Sequence, residues 1–501
     1  MNLNTQDKNN LTVTNETNVK AAESEKADPL DSKKTDGTKK ESTKPKNTQI
    51  DIEVDSAGQR SKLIFTLAWP ALAENILVSM INMVSMIMVG GLGGFAINAV
   101  GLVSQPRFIM MSAVMAMNIG TTALVAQSKG ANNQDGANSA LSQALILTAF
   151  IVLSICSVMF FLAEPLIRMI AGSGLSEQVI SQSLIYMRIQ IFGFPFTAFT
   201  LTVNAALRGA GNTKAAFYNN AVANVVNAAL HYCLIYGNLG FPRLEIAGAS
   251  LAAVLSQAVA LMMALSVVLR NKQYIRLDIR SLTKLDLPMM RRIMKIGIPS
   301  LIEQLFMRAG NIWFTSIVTS LGNRSYTAHM VAMNIEMLAF TTGQAFGAAA
   351  TTLVGQSIGR RRMDLSRVYV RVIQTMGFVV SVVVSLLLFF CGHIVARLYT
   401  SDLEIIALAI SVLRIIAVVI PIVNARTIYL SALRGAGDAK FVAVVSFVGM
   451  VAIRPVVGLL LTNVFEMGLA GIWFALSSDF IIGYVITLGR YVRGKWEHII
   501  I

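Results

Sequence analysis

Trp69-Pro70-Ala71-Leu72-Ala73-Glu74 and Ile298-Pro299-Ser300-Leu301-Ile302-Glu303 stand 229 residues apart, each a proline followed one helical turn later by a carboxylate. The same shift places Leu92-Gly93 on Leu321-Gly322, Ala99 on Ala328, and Gln127-Ser128 with Gly130 on Gln356-Ser357 with Gly359. Further along, Leu207-Arg208-Gly209-Ala210-Gly211 with Lys214 recurs as Leu433-Arg434-Gly435-Ala436-Gly437 with Lys440, now 226 residues apart, and Pro195 and Arg188 meet Pro421 and Arg414. A run of matches in conserved order marks a duplicated unit. The fold therefore follows from what one copy is.

One copy is a set of apolar spans. Of the 501 residues 54% are hydrophobic and 14% charged, against about a quarter charged in ordinary soluble domains. That excludes a soluble enzyme. From Leu63 onward twelve segments are long enough to cross a hydrocarbon core of about 30 Å, which takes roughly 20 residues. They run approximately over 63–89, 97–125, 141–163, 180–206, 215–236, 246–269, 293–321, 326–354, 368–390, 405–430, 441–465 and 469–488. The expected fold is all-α and integral to the membrane, with twelve transmembrane helices in two six-helix lobes. Six spans per copy is an even number, so both lobes enter from one side and are related by a pseudo-twofold axis along the membrane normal. The cleft between such lobes is where repeat-built transporters place their substrate.

The net charge of +15 reads as topology, since Lys and Arg collect on alternate connections. Arg270, Lys272, Arg276, Arg280, Lys284, Arg291 and Arg292 follow the sixth segment, and Arg360, Arg361, Arg362 and Arg367 the eighth. Both termini are expected in the cytoplasm of a cell (plasma or inner) membrane protein. The first 60 residues are polar and Lys-rich with no aromatic residue, which reads as a disordered cytoplasmic tail. The remaining divisions are an N-terminal lobe over 61–270, a basic linker over 271–290, a C-terminal lobe over 291–490 and a cytoplasmic end over 491–501. Cys156, Cys233 and Cys391 show no metal-ligand spacing and read as packing residues. No phosphate-binding G-x-x-x-x-G-K-[ST] loop occurs, so an ion gradient is the expected driver.

Joined with Val89-Gly90-Gly91-Leu92-Gly93, Ala126-Gln127-Ser128-Lys129-Gly130-Ala131 and Ala247-Gly248-Ala249, these stretches resemble the multidrug and toxic compound extrusion (MATE) transporters of prokaryotic type over roughly 63–490. The resemblance implies a V-shaped pair of bundles exporting amphipathic, often cationic, compounds in exchange for H+ or Na+. No cofactor beyond that ion is expected. The expected partners are lipophilic or cationic small molecules and membrane lipids, with no nucleic acid, and the chain is expected to act as a monomer. Two positions depart from the family pattern. Ser85 stands where one branch carries an acid in the first span, and His231 stands four residues after Asn227 where that branch has Asp. A flippase for a lipid-linked precursor and a non-transporting membrane sensor or scaffold are the alternatives.

Six charged residues fall inside spans: Glu74, Arg107, Glu303, Glu336, Arg454 and Asp479. Each costs about 2.5–3.5 kcal/mol at the bilayer centre on insertion scales. They must be paired, neutralised or turned toward a wet cleft. Glu74 and Glu303, the latter beside Gln304, either carry the coupling ion near the bends at Pro70 and Pro299 or tie neighbouring helices together. Arg107 and Glu336 are repeat-equivalent and opposite in sign, and either bridge the lobes as a gating pair or pair within their own lobes. Asn220, Asn224, Asn227 and His231 recur every three or four residues, a polar stripe on one helical face. His231 in that stripe is a candidate for sharing a proton, with a neutral inter-helix hydrogen bond as the alternative. The many methionines, among them Met80, Met83 and Met86, suit a promiscuous pocket, but at helical spacing they read mostly as core or lipid-facing packing.

Overall fold

The computed structural model describes residues 56–171, 176–270, 273–397 and 402–499. All belong to the compact unit Asn47–Ile501, and the expected tail lies up to residue 55 outside the described residues. Twelve long helices follow one another: α1 Ala57–Gly90, α2 Gly94–Gly130, α3 Gln134–Ala171, α4 Glu177–Gly209, α5 Thr213–Tyr236, α6 Glu245–Leu269, α7 Leu287–Ser320, α8 Asn323–Gly359, α9 Met363–Arg397, α10 Leu403–Ala436, α11 Ala439–Val464 and α12 Gly468–Val492. Nine of them are apolar and long enough to cross a membrane by length and composition alone. The three that fall short are α5, α7 and α8, which carry the asparagine stripe, Glu303 with Arg308 and Asn311, and Glu336.

The repeat is visible in the packing. Within the first lobe α2 packs on α3 and α4, α4 on α6, and α5 on α1 and α6; the second repeats this as α8 on α9 and α10, α10 on α12, and α11 on α7 and α12. Across the boundary α2 packs on α8, α1 on α8 and α7 on α2, so the pseudo-twofold axis passes between α2 and α8.

The boundary between lobes departs from a clean division at the linker. Helices α1 and α7 each have 34 residues, about 51 Å at 1.5 Å per residue, and each serves both lobes. Leu63, Ile64, Leu67 and Ala68 join a core cluster otherwise built from second-lobe residues such as Phe346, Leu353 and Ile373. Met289 and Ile293 of α7 likewise join a first-lobe cluster with Leu141, Val203 and Leu207. Past the prolines the partners change, since Glu74 meets first-lobe residues and Glu303 second-lobe residues. Pro70 and Pro299 mark the point where each helix passes from one lobe to the other.

Helix α1 begins at Ala57, inside the stretch expected to be tail, because Ser56 caps it by accepting from the Gln59 amide at 3.2 Å. The linker is a docked strap. Asn138 Oδ1 accepts from the Arg276 amide at 2.8 Å, Gln134 and Gln143 donate to the Tyr274 and Lys284 carbonyls, and Ile275 and Leu277 are buried. All three polar anchors stand on α3. In α11, π-turns over Val448–Ile453 and Leu460–Val464 flank Arg454-Pro455. Pro455 has no amide hydrogen to continue the i→i−4 ladder, and local widening of this kind is a usual accommodation.

Candidate functional site

The lobes meet tightly at the end bearing the basic connections. Gln127 of α2 donates from Nε2 to the Gly435 carbonyl at 3.2 Å, and its repeat partner Gln356 of α8 donates to the Gly209 carbonyl at 3.1 Å. Thr352 adds a bond to the Arg208 carbonyl at 3.0 Å. The approach is closest at Gly130 and Gly359. A Cβ at Gly130 would overlap the Gln356 carbonyl, and one at Gly359 the Gln127 carbonyl. Main chains touch here because no side chain intervenes, which explains the Gln-Ser-x-Gly spacing seen in both copies. Within each lobe Thr122 donates to the Ala205 carbonyl at 3.0 Å and Thr351 to that of Ser431 at 2.9 Å.

Above this seam each proline-linked carboxylate is held by the arginine of its own Leu-Arg-Gly-Ala-Gly stretch. Glu303, 1% exposed, accepts at Oε1 from Arg434 at 2.6 Å and from Ser446 Oγ at 2.9 Å. Its Oε2 is buried without a partner. Glu74 accepts at Oε1 from Asn220 Nδ2 at 2.6 Å and, at 3.5 Å, from Arg208. Every member has its repeat equivalent: Arg208 with Arg434, and Asn220 with Ser446. Gln304, next to Glu303, is half-buried and makes no side-chain hydrogen bond among the described residues.

The asparagine stripe of α5 faces α1, α4 and α6. Asn219 donates to Asn204 at 2.9 Å, and Asn227 donates to Ser256 Oγ at 3.2 Å. Ser85, at the position where the resemblance put an acid, reaches Asn227 Oδ1 at 3.4 Å. His231 is buried, and its Nδ1 lies 3.0 Å from the Asn227 carbonyl. A carbonyl only accepts, so Nδ1 carries the proton. Asn224 leaves its buried Nδ2 unpartnered. The structure brings Ser85, Asn227 and His231 together without a carboxylate among them.

In the second lobe Asp479 is shared between two arginines: Arg454 donates from Nε to Oδ2 at 2.8 Å and Arg426 from NH1 to Oδ1 at 3.3 Å. All three are buried, and Phe480 lies against both guanidiniums. Arg454 also reaches Asn311 Oδ1 of α7 at 3.5 Å. Gly449 makes this possible, since a Cβ there would overlap Asp479 Oδ1. Glu336 is half-buried and makes no ion pair or side-chain hydrogen bond among the described residues. Arg107 is exposed and makes no ion pair among the described residues. The bridge between Arg107 and Glu336 is not formed in this structure.

Sequence reasoning passed over Arg208, Arg434, Arg426, Gln127 and Gln356 as functional residues. Four of these carry a signal in the duplicated stretches themselves, where a polar residue recurs at a fixed offset. Arg426 has no repeat equivalent of its kind, and its role shows only in three dimensions.

Comparison with known proteins agrees with this architecture. The family model MatE matches residues 70–233 and 299–460, once on each repeat. "Probable multidrug resistance protein NorM" of Thermotoga maritima is 26% identical over 437 residues, 87% of this chain and 93% of that protein. "Uncharacterized transporter YisQ" of Bacillus subtilis is 25% identical over 436 residues, 86% of this chain and 94% of that protein. A solved outward-facing structure of a multidrug resistance MATE family transporter superposes with a TM-score of 0.81 at 20% identity, covering 88% of this chain and 97% of that one. With both repeats matched and twelve helices in two like lobes, the chain belongs to the MatE family of multidrug and toxic compound extrusion transporters.

Proposed function

We propose that the chain is a proton-coupled exporter of amphipathic small molecules, with its basic end and both termini in the cytoplasm. The observation that carries this reading is the seam at the basic end, closed by two equivalent glutamine bonds, with ionisable groups gathered behind it at mid-depth. A cleft closed at the cytoplasmic side is the state in which a bound solute leaves outward. The positive-inside distribution of Lys and Arg supports that orientation.

Coupling is assigned to Glu303. Its Oε1 already takes two donors, and its free, buried Oε2 is the place for a proton. Protonation cancels the charge that holds Arg434, so α10 loosens from α7. Helix α7 also packs on α2 of the other lobe, and through it the change reaches the seam. Sodium fits less well, because a hard cation needs a cage of several oxygens and a guanidinium occupies one side of this carboxylate. The usual acid pair of the first lobe is replaced by Ser85 and His231, which leaves Glu303 as the better-placed carrier.

The test is transport in proteoliposomes with an imposed pH gradient, an imposed Na+ gradient or neither, using fluorescent amphiphiles of both charges. We expect accumulation driven by the pH gradient alone, reduced at least about tenfold in Glu303→Gln. Equal movement under all three conditions, or none, rejects the reading.

A further inference from the structure

The charges at mid-depth do not all cancel. Glu74 with Arg208, and Glu303 with Arg434, are neutral pairs. Arg426 and Arg454 share the single carboxylate of Asp479. Among the guanidiniums left at this depth, Arg107 on α2 and Arg308 on α7 stand on the two helices that pack on each other across the lobes. Neither makes an ion pair or side-chain hydrogen bond among the described residues. Arg308 stacks over the Phe108 ring, 3.6 Å from its centroid, and so crosses from its own helix to the residue next to Arg107. Its Nε is buried and unpartnered.

The two lie at one depth, thirteen residues in from the start of α2 and twelve short of the end of α7. At that depth an unpaired guanidinium facing acyl chains is costly, so both belong to the interlobe space. Arg188 and Arg414 stand at comparable depth on α4 and α10, which pack mainly within their own lobes, and Arg414 lies over Phe389 of α9. The first-lobe face offers Ser85, Asn224, Asn227 and His231, with no unpaired carboxylate among the described residues there to receive a cation. Leu305 and Ile312, a turn to either side of Arg308, are exposed and apolar.

We infer that the mid-depth seam between α2 and α7 binds the anionic head of an amphipathic molecule, a carboxylate or a phosphate ester, with Arg107 and Arg308 as its guanidinium ligands. Planar forked donors suit either group. The apolar residues beside Arg308 take the tail. This replaces the lipophilic cation expected from the family resemblance with an anion, and it rests on the export reading only in taking the bound molecule as cargo. The same head-group chemistry occurs on an exported solute and on an anionic phospholipid.

The experiment is a fluorescence titration of the full chain in phosphatidylcholine nanodiscs with dansyl-undecanoate, its amide, and a dansyl-alkyl-trimethylammonium of equal length. The carboxylate is expected to bind about tenfold or more tighter than either analogue, as loss of a charge-assisted pair implies. Arg107→Gln and Arg308→Gln are each expected to weaken it about tenfold, and Arg308→Lys to retain part of the affinity. Arg107 touches no partner, so its variant reports on binding even where Arg308→Gln fails to fold. Equal affinities, preference for the ammonium, or an unchanged Kd in Arg107→Gln overturns the inference. Adding phosphatidylglycerol separates the sources: displacement of the probe identifies a lipid occupant, and no displacement a soluble one. Arginine-dependent binding without gradient-driven transport defeats the export reading and leaves the site standing. Export of cations that is indifferent to Arg107→Gln does the reverse.

Discussion

Glu303 and Glu74 occupy equivalent places in the two repeats but are enclosed to different degrees, and the difference sets what their loss will do. Glu303 is 1% exposed and Glu74 has a side chain 15% exposed. Glu303→Gln leaves the Arg434 guanidinium, 19% exposed, against a buried neutral amide and costs at most the about 3–5 kcal/mol of a fully buried pair, whereas Glu74→Gln, with a longer 3.5 Å ion pair whose carboxylate is nearer water, costs about 1 kcal/mol. Denaturant unfolding in detergent should rank them in that order. Asp479→Asn should be as severe as Glu303→Gln, because Arg426 and Arg454 then face one another without the carboxylate between them. Adding Arg454→Met to Asp479→Asn should recover part of the lost unfolding midpoint, since it removes one of the two guanidiniums left facing each other, though Arg426 stays buried without its carboxylate; an additive loss argues against the shared-charge account. The carboxylates themselves were legible in the sequence because charge inside an apolar run has no neutral explanation. Their partners were not. Arg208 and Arg434 sit where a basic loop residue is ordinarily solvated, and only the folded chain shows them turned inward.

At the scale of elements, the prolines of α1 and α7 do more than interrupt a ladder of hydrogen bonds. Each stands where its helix leaves one lobe for the other, so stiffening that point ties the lobes together. Pro70→Ala and Pro299→Ala restore a main-chain donor and remove a cost of about 3 kcal/mol in a helix interior. Both variants should melt at higher temperature yet export more slowly, and faster export would refute the hinge. The α6–α7 strap makes a separate prediction. Replacing Asn138 and Gln143 with Ala removes two of its anchors on α3, each worth about 1 kcal/mol, and should raise the rate of proteolytic cleavage between residues 273 and 286. Twelve spans and their pairing into two copies could be read from hydropathy and repeat spacing. The exchange of α1 and α7 between lobes could not, because neither hydropathy nor repeat spacing tells which neighbour each turn of a long helix will meet.

Across the whole molecule the two lobes share a skeleton and differ inside. Position 227 is Asn where its repeat equivalent, 453, is Ile, and position 228 is Ala where 454 is Arg. Among the described residues only the second lobe carries a buried cluster of guanidiniums, Arg426 with Arg454. At the basic end the symmetry is kept, and the closure depends on it. Gly359→Ala should force α2 and α8 apart there, and a cysteine introduced at Ala126, with the three native cysteines replaced, should then react several-fold faster with a water-soluble maleimide. An unchanged rate would show that the closure tolerates the added methyl. The bonds that cross this closure run from carboxamides and a hydroxyl to peptide carbonyls, none of which ionises in the physiological range. Those bonds do not titrate, but a charge beside them does: burial and the Arg360 guanidinium across the contact pull the Lys129 ammonium, next to Gly130, down to about 8. A rise in pH through that range therefore removes a positive charge from the closed end and relieves its repulsion with Arg360, a repulsion that added salt also screens.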